Sequence, residues 1–256
     1  MTIAPRPHPD RRAVLRRALG ISAAAGTAGL LGLSAAAPAS AYSWSRTLSQ
    51  GSSGADVTEL QIRVAGWAAG SAQQTYVAVD GAFGSGTTAA VKRFQSAYGL
   101  SADGIAGPAT QSALNALESS DGSTAHFDFS EFSSHDGAGF TGGNVSSTQV
   151  KENVRRLMYK LEALRKKAGD KAVTINSGFR STSYNASVGG ASNSMHTYGV
   201  AADVVVSGLS TLSVYKLAET CGFSGLETYS VSWQHVDSRI QYAYGSQFWW
   251  WEDGVV

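Results

Sequence analysis

The 256-residue sequence predicts a small all-α module followed by an α+β domain. Three observations carry this. Residues 44–118 hold an internal duplication in which each copy is a turn running into a helix. A long amphipathic helix is expected from about Gln149 to Ala168. After it come three short apolar runs with strand character, Val173–Asn176, Ala201–Val206 and Trp233–Asp237, separated by turns. Composition agrees: 43% of residues are apolar and 15% charged, below the roughly 25% charge of average chains. That is enough apolar material for one or two cores, and it excludes a disordered polyelectrolyte. The formal net charge of +1 is unevenly placed, since residues 1–41 carry five Arg and one Asp and leave 15 Lys+Arg against 18 Asp+Glu beyond them. The chain after that leader is net acidic, so a nucleic-acid binder drawn to polyanions by long-range attraction is excluded.

The leader reads as an export signal. Arg11-Arg12-Ala13-Val14-Leu15-Arg16 is a twin-arginine pattern, an Ala/Gly/Leu stretch follows from Ala18 to Ala37, and Ala39-Ser40-Ala41 supplies small residues for cleavage before Tyr42. The alternative is a retained signal anchor, for which an Ala/Gly-rich segment ending in A-x-A is poorly suited. The mature product is expected to be secreted and soluble, with no membrane attachment. A single cysteine, Cys221, excludes an intramolecular disulfide, so stability must come from packing or a metal. Cys221 falls in Leu212–Phe223, an expected amphipathic helix, and is read as a buried thiol rather than a nucleophile.

In the N-terminal module, Asp80-Gly-Ala-Phe-Gly-Ser-Gly-Thr and Asp103-Gly-Ile-Ala-Gly-Pro-Ala-Thr align at an offset of 23 positions. Glycines suit the tight turns, Pro108 suits a first helical turn, and Val91, Phe94 and Tyr98 fall near one helix face. An earlier helix is expected over Val57–Ala69, with Val57, Leu60, Val64 and Trp67 at helical spacing. Leu48-Ser-Gln-Gly-Ser-Ser-Gly-Ala-Asp-Val-Thr-Glu-Leu-Gln61, Asp80-Gly-x-Phe-Gly84, Phe94-Gln95 and Asp103-Gly-x-x-Gly-Pro-x-Thr110 together resemble the three-helix peptidoglycan-binding domain. That resemblance implies cell-wall peptidoglycan as a partner. Asp80 and Asp103 are read as caps of their turns.

Residues 119–124 have the composition of a linker, and a second domain is expected over 125–256. In its long helix Val150, Val154, Leu157, Leu161 and Leu164 form an apolar stripe, with Lys and Arg on the other side. The basic side is read as solvated surface rather than a polyanion site.

Candidate chemistry sits downstream. Ser194-Met-His196-Thr-Tyr-Gly199-Val-Ala201-Ala-Asp203 places an imidazole and a carboxylate seven positions apart across a loop that runs into an apolar strand. Trp233-Gln-His235-Val-Asp237 sets a second imidazole on another strand. Two His and one carboxylate suit zinc with a fourth position left to water or substrate, although spacing alone equally fits a satisfied His–Asp core pair. Ser-x-His-x-x-Gly-x-Ala-x-Asp, then x-His-Val, with Ser177-Gly-Phe-Arg180-Ser181 upstream, resembles the zinc D-Ala-D-Ala carboxypeptidase and endopeptidase family of cell-wall peptidases, peptidase M15. The resemblance implies a mainly antiparallel sheet, Zn2+ held by His196, Asp203 and His235, and Arg180 binding substrate or stabilising the reacting carbonyl.

One departure concerns proton transfer. Many members of the family carry an acid three positions before the last ligand or a histidine two before it, where this chain has Ser232 and Trp233. Asp237, two beyond His235 and therefore on the same strand face, is a candidate base or an orienting partner for a ligand. Glu227 is a weaker candidate base. Phe248-Trp249-Trp250-Trp251 is expected to close the core, with an aromatic wall beside the cleft as the alternative. His126 and His135 are read as structural. The expected activity is a monomeric zinc carboxypeptidase acting on peptidoglycan stem peptides. The alternatives are an endopeptidase or amidase of the same polymer, or an inactive wall-binding protein.

Overall fold

One side-chain device, used twice, holds the N-terminal segment together. The computed structural model describes residues 41–229, 232–244 and 250–253, so the leader expected over residues 1–41, except its last residue, and the aromatic residues 248 and 249 lie outside the described residues. Helices α1 (Ala55–Arg63), α2 (Ser85–Ala97) and α3 (Pro108–Asn115) enclose Leu48, Leu60, Phe83, Val91, Phe94 and Leu114, all buried. Between them Gln61 Nε2 donates to Asp80 Oδ1 (2.8 Å), the Ala82 carbonyl (3.0 Å) and Thr87 Oγ1 (3.2 Å), while its Oε1 accepts from Gly81 N (2.8 Å). Gln95 repeats the set with Asp103 Oδ1 (2.8 Å), the Ile105 carbonyl (3.0 Å), Thr110 Oγ1 (3.0 Å) and Gly104 N (2.9 Å). Both amides are buried, and these bonds are what make their burial tolerable. Asp80 and Asp103 also cap their turns, accepting from the backbone N–H two residues on.

The helix expected over Val57–Ala69 stops at Arg63 and gives way to a 3-10 turn at Ala65–Trp67. Close contact with α4 (Ser147–Lys167) explains the break. A Cβ on Gly66 would lie 2.4 Å from Ala163 Cβ and 2.9 Å from Lys160 Cα, so only glycine lets the turn sit down on the helix. Lys167 Nζ then donates to the carbonyls of Gly66 (3.1 Å) and Thr220 (2.8 Å).

Helix α4 begins where Ser146 Oγ accepts from Gln149 N (3.2 Å) and ends in Arg165, Lys166 and Lys167, charges that suit the negative end of a helix. Its stripe of Val150, Val154, Leu157, Leu161 and Leu164 is buried as expected. The polar side departs from the solvated reading. Arg155 is paired with Glu59 through two 3.0 Å bonds, and Lys160 is buried, donating to the Gly222 carbonyl (2.7 Å) and Ser238 Oγ (2.8 Å). Burial pushes the Lys160 ammonium down to about 7. The polar side is partly covered, with Lys151 exposed, because α4 lies between the N-terminal segment and the sheet. Residues 119–124 fold as a closed turn, with Ser119 N donating to the Ser123 carbonyl (2.9 Å) and Asp121 Oδ1 accepting from Ser123 N (3.0 Å).

Five strands form one sheet in the order β1-β2-β4-β3-β5: β1 (Val173–Ser177), β2 (Ala201–Val206), β3 (Gly225–Tyr229), β4 (Trp233–Asp237) and β5 (Trp251–Asp253). All pairings are antiparallel except β3 with β5. The three strands expected from sequence are present, and β3 and β5 are additions. Short helix α5 (Thr182–Ser187) follows β1, and α6 (Thr211–Ala218) is shorter than the helix expected over Leu212–Phe223. Cys221 therefore lies just past α6, buried and unpaired with any other cysteine, its thiol pushed up by burial. No helix among the described residues is long and apolar enough to cross a membrane.

Gly66→Ala should lower unfolding stability in urea by about 1–3 kcal/mol through overpacking against α4. Gly84→Ala, where a Cβ meets nothing within 4 Å, should stay within about 0.5 kcal/mol of the parent.

Candidate metal centre

Sheet register assembles the site. Antiparallel pairing sets Asp203 of β2 opposite His235 of β4, and His235 opposite Glu227 of β3. Directly opposed residues share a face, so these three side chains form one row across neighbouring strands. Two residues along, Ala201, Asp237, Gly225 and Trp251 make the next row on that face.

His196 reaches the row from the 3-10 turn Met195–Tyr198, which ends at Gly199 with φ 74°. Glycine is required there twice over: the left-handed backbone favours it, and a Cβ would meet the Val150 carbonyl at 2.9 Å. His196 Nδ1 lies 2.6 Å from the Gly178 carbonyl, an acceptor only, so Nδ1 carries the proton and Nε2 presents its lone pair. That Nε2 lies 3.2 Å from His235 Nδ1 and 3.3 Å from Asp203 Oδ1, and His235 Nδ1 lies 3.0 Å from Asp203 Oδ1. His196, Asp203 and His235 are the group of potential metal ligands found among the described residues, and all three are buried.

Each ligand is held from behind. His235 Nε2 meets Asp237 Oδ2 at 3.1 Å, which directs Nδ1 into the site. Asp203 Oδ2 accepts from Arg180 Nη2 at 2.5 Å, and Arg180 Nε donates to Ser177 Oγ at 2.8 Å. Asp237 is fully buried, and its two oxygens also accept from Arg239 Nε (3.0 Å each), Arg239 Nη2 (2.6 Å) and Arg239 N (2.9 Å). The carboxylate lies over Gly225, where a Cβ would fall 2.1 Å from Asp237 Oδ2.

The donor set fits a small divalent cation. With metal–ligand bonds of about 2.0–2.1 Å, neighbouring ligand atoms of a tetrahedral zinc site stand roughly 3.3 Å apart, close to the 3.0–3.3 Å triangle here. Protonation follows the same crowding. Burial opposes charge on His235, but Asp203 and Asp237 on its two nitrogens outweigh burial and push it up to about 9. Burial drives His196 down despite Asp203 beside it. Burial alone would raise Asp203 and Asp237; the two imidazoles hold Asp203 well below the usual carboxylate range, and His235 with Arg239 does the same for Asp237.

The triad opens onto a cleft of about 690 Å³ whose walls include Arg180, Glu227, Trp233, Arg239 and Trp251, within the size range of ligand sites. Among the described residues Arg180 bonds through Nε and Nη2, with no partner for Nη1. Trp251 meets the His235 ring edge-on at 5.9 Å and lies under the Arg239 guanidinium at 4.4 Å, so this member of the aromatic run forms cleft wall rather than core. His126 pairs with Glu162 at 2.8 Å, and His135 packs beside Tyr184; neither is among the clustered ligands.

Comparisons with known proteins place the chain in a family. A family described as Peptidase M15 matches residues 125–237, and one described as "Putative peptidoglycan binding domain" matches residues 53–114. The chain is 47% identical over 183 residues to the zinc D-Ala-D-Ala carboxypeptidase of Streptomyces albus G, covering 72% of this chain and 70% of that protein. This chain belongs to the peptidase M15 family. It is also 45% identical over 73 residues to a "Probable N-acetylmuramoyl-L-alanine amidase" of Bacillus licheniformis, covering 28% of this chain and 20% of that one. A solved SleB N-terminal domain is 41% identical, covering 27% of this chain and 88% of its own, with a TM-score of 0.23.

In this M15 chain the sequence reading passed over Arg239, Gly225 and the Gly178 carbonyl. Arg239 starts the 3-10 turn Arg239–Gln241, past the end of β4, where strand alternation no longer applies.

Asp237→Asn should weaken zinc affinity about 10–100-fold, read by competition with a chromogenic chelator. Because the His235 pKa in the cation-free protein is pushed up to about 9, His235 is protonated at pH 7 and must release that proton to bind metal. Calorimetry in buffers of different ionisation enthalpy should show about one proton released per zinc at pH 7, with affinity rising as pH increases towards about 9.

Proposed function

We propose that the chain is a zinc metallopeptidase that hydrolyses peptidoglycan stem peptides as a D-Ala-D-Ala carboxypeptidase. The observation that carries the reading is a buried set of two imidazole nitrogens and one carboxylate oxygen, spaced 3.0–3.3 Å apart, at the floor of a ligand-sized cleft in an M15 chain. Three protein donors rather than four is the pattern of a catalytic zinc site. His196 Nε2, Asp203 Oδ1 and His235 Nδ1 are the atoms that would hold the ion. When bound, zinc supplies Lewis acidity towards a carbonyl and lowers the pKa of coordinated water towards about 7.

The remaining groups position and recognise. Arg180 fixes Asp203 through Nη2 and has Nη1 left for a substrate carboxylate or for the oxygen of the reacting carbonyl, a task suited to a guanidinium. Asp237, buried and bonded to both His235 and Arg239, orients the ligand and fixes its tautomer instead of acting on water. The walls formed by Trp233 and Trp251 restrict water around the peptide. Residues 53–114, which match the peptidoglycan-binding family, would keep the enzyme on an insoluble polymer and raise local substrate concentration without a new catalytic contact. The protein would reach the wall by twin-arginine export and act there as a monomer. The organisation would be signal 1–41, wall-binding module 44–118, connecting residues 119–124 and peptidase 125–256.

Mass analysis of purified wall fragments should show loss of terminal D-Ala with the zinc-loaded chain, none after exhaustive chelation, and recovery when zinc is returned. Cleaved crosslinks or freed stem peptides would instead make it an endopeptidase or an amidase. His196→Ala should lose both zinc and hydrolysis while still pelleting with cell walls; turnover at the parent rate would sink the site assignment.

A further inference from the structure

We propose that Glu227 takes the proton from the attacking water and delivers it to the leaving nitrogen, an assignment that rests on the peptidase reading above. The row Asp203–His235–Glu227 crosses three adjacent strands on one face, so Glu227 flanks His235 on the side away from Asp203. Its Oε2 is buried with no hydrogen-bond partner among the described residues. A buried carboxylate oxygen left in that state is costly and calls for an explanation. Here it belongs to a side chain that lines the cleft beside the triad.

The other acids near the ion are committed. Asp203 gives one oxygen to the imidazoles and the other to Arg180. Asp237 is absent from the cleft wall and is bound by His235 and Arg239. Asp203 and Glu227 are thus the acids on the described cleft wall, and Glu227 has an oxygen to offer. At the positions where a base was sought from sequence, Ser232 is exposed and the Trp233 indole has no acceptor nitrogen. Glu227 is also outside the cluster of mutually close ligand atoms, so it stands beside the cation site rather than in it. Strand order completes the geometry. Arg180 approaches from the β1 side and Glu227 from the β3 side, which puts a cation for the developing oxyanion and a proton acceptor for water on opposite flanks.

In the step, the Glu227 carboxylate removes one proton from water as the water oxygen bonds to the carbonyl carbon and the C=O π pair moves onto the carbonyl oxygen. That pair then re-forms the C=O bond while the C–N bond breaks and its electrons leave with nitrogen. Nitrogen takes the proton from the Glu227 carboxylic acid, which regenerates the carboxylate. The second water proton passes through solvent from the new acid to the amine, leaving carboxylate and ammonium products.

The test compares the full zinc-loaded chain with Glu227→Gln and Glu227→Asp on a synthetic peptide ending in D-Ala-D-Ala, reading kcat, KM and zinc per chain by emission spectroscopy. Glu227→Gln should keep one zinc per chain and a KM within about threefold, while kcat falls about 10²–10⁴-fold. Glu227→Asp should recover part of the loss. If the glutamine variant melts early, formate should restore turnover to Glu227→Ala without accelerating the parent, and failure to do so overturns the assignment. So does a glutamine variant with parental kcat, with zinc lost, or with only KM raised. A parent that cleaves nothing overturns the peptidase reading and this assignment with it; a parent that cleaves no faster than its glutamine variant overturns this assignment alone.

Discussion

Three acceptors facing one another within about 3 Å, on buried side chains at the floor of a cleft, is the constraint on which the rest of the peptidase segment depends. His196 Nε2, His235 Nδ1 and Asp203 Oδ1 cannot satisfy each other by hydrogen bonding, because the protons of both rings are directed elsewhere, to the Gly178 carbonyl and to Asp237. Something positive must sit among them. Without a metal that role falls to a proton, which is why His235 is pushed up to about 9. A divalent cation would do it better, held by His196, Asp203 and His235 in exchange for the proton. The arrangement is a preformed demand for positive charge, and a fold that keeps it buried has to hold each ligand rigidly from behind.

That support is built from backbone as much as from side chains. Gly199 lets the turn carrying His196 close against α4, and the Gly178 carbonyl fixes the His196 ring. Gly225 leaves room for Asp237, which in turn is clamped by Arg239. Asp203 and Asp237 each have an arginine of their own, Arg180 and Arg239, so these four side-chain charges cancel. Buried charges tolerate the interior when paired and hydrogen-bonded in this way.

The N-terminal segment bears on this site through α4. That helix packs the Gly66 turn on one side and the sheet on another, and it carries Lys160 to within hydrogen-bonding distance of Ser238, the residue after Asp237. The wall-binding and peptidase segments therefore share a core as well as a chain. A shared core fixes the cleft relative to the binding module more firmly than a flexible tether would.

Much of this was legible in the chain. The duplicated Asp-Gly turns, the α4 stripe and the three ligands could be read because each is local: a repeat offset, a helical period, donors on short strand-like runs. The strand positions of Asp203 and His235 made a shared face plausible. What local pattern could not supply was which strands are neighbours. The order β1-β2-β4-β3-β5 puts Glu227 beside His235, Gly225 beneath Asp237 and Trp251 against the site, and it buries Asp237 between His235 and Arg239. The burial of Lys160 and of the paired Gln61 and Gln95 amides likewise depends on which surfaces meet. The sequence by itself determined the candidate donor residues and the module types, because these follow from residue chemistry and short-range periodicity. Only the tertiary structure decided the role each donor plays, because protonation, burial and reach are set by neighbours that are distant along the chain.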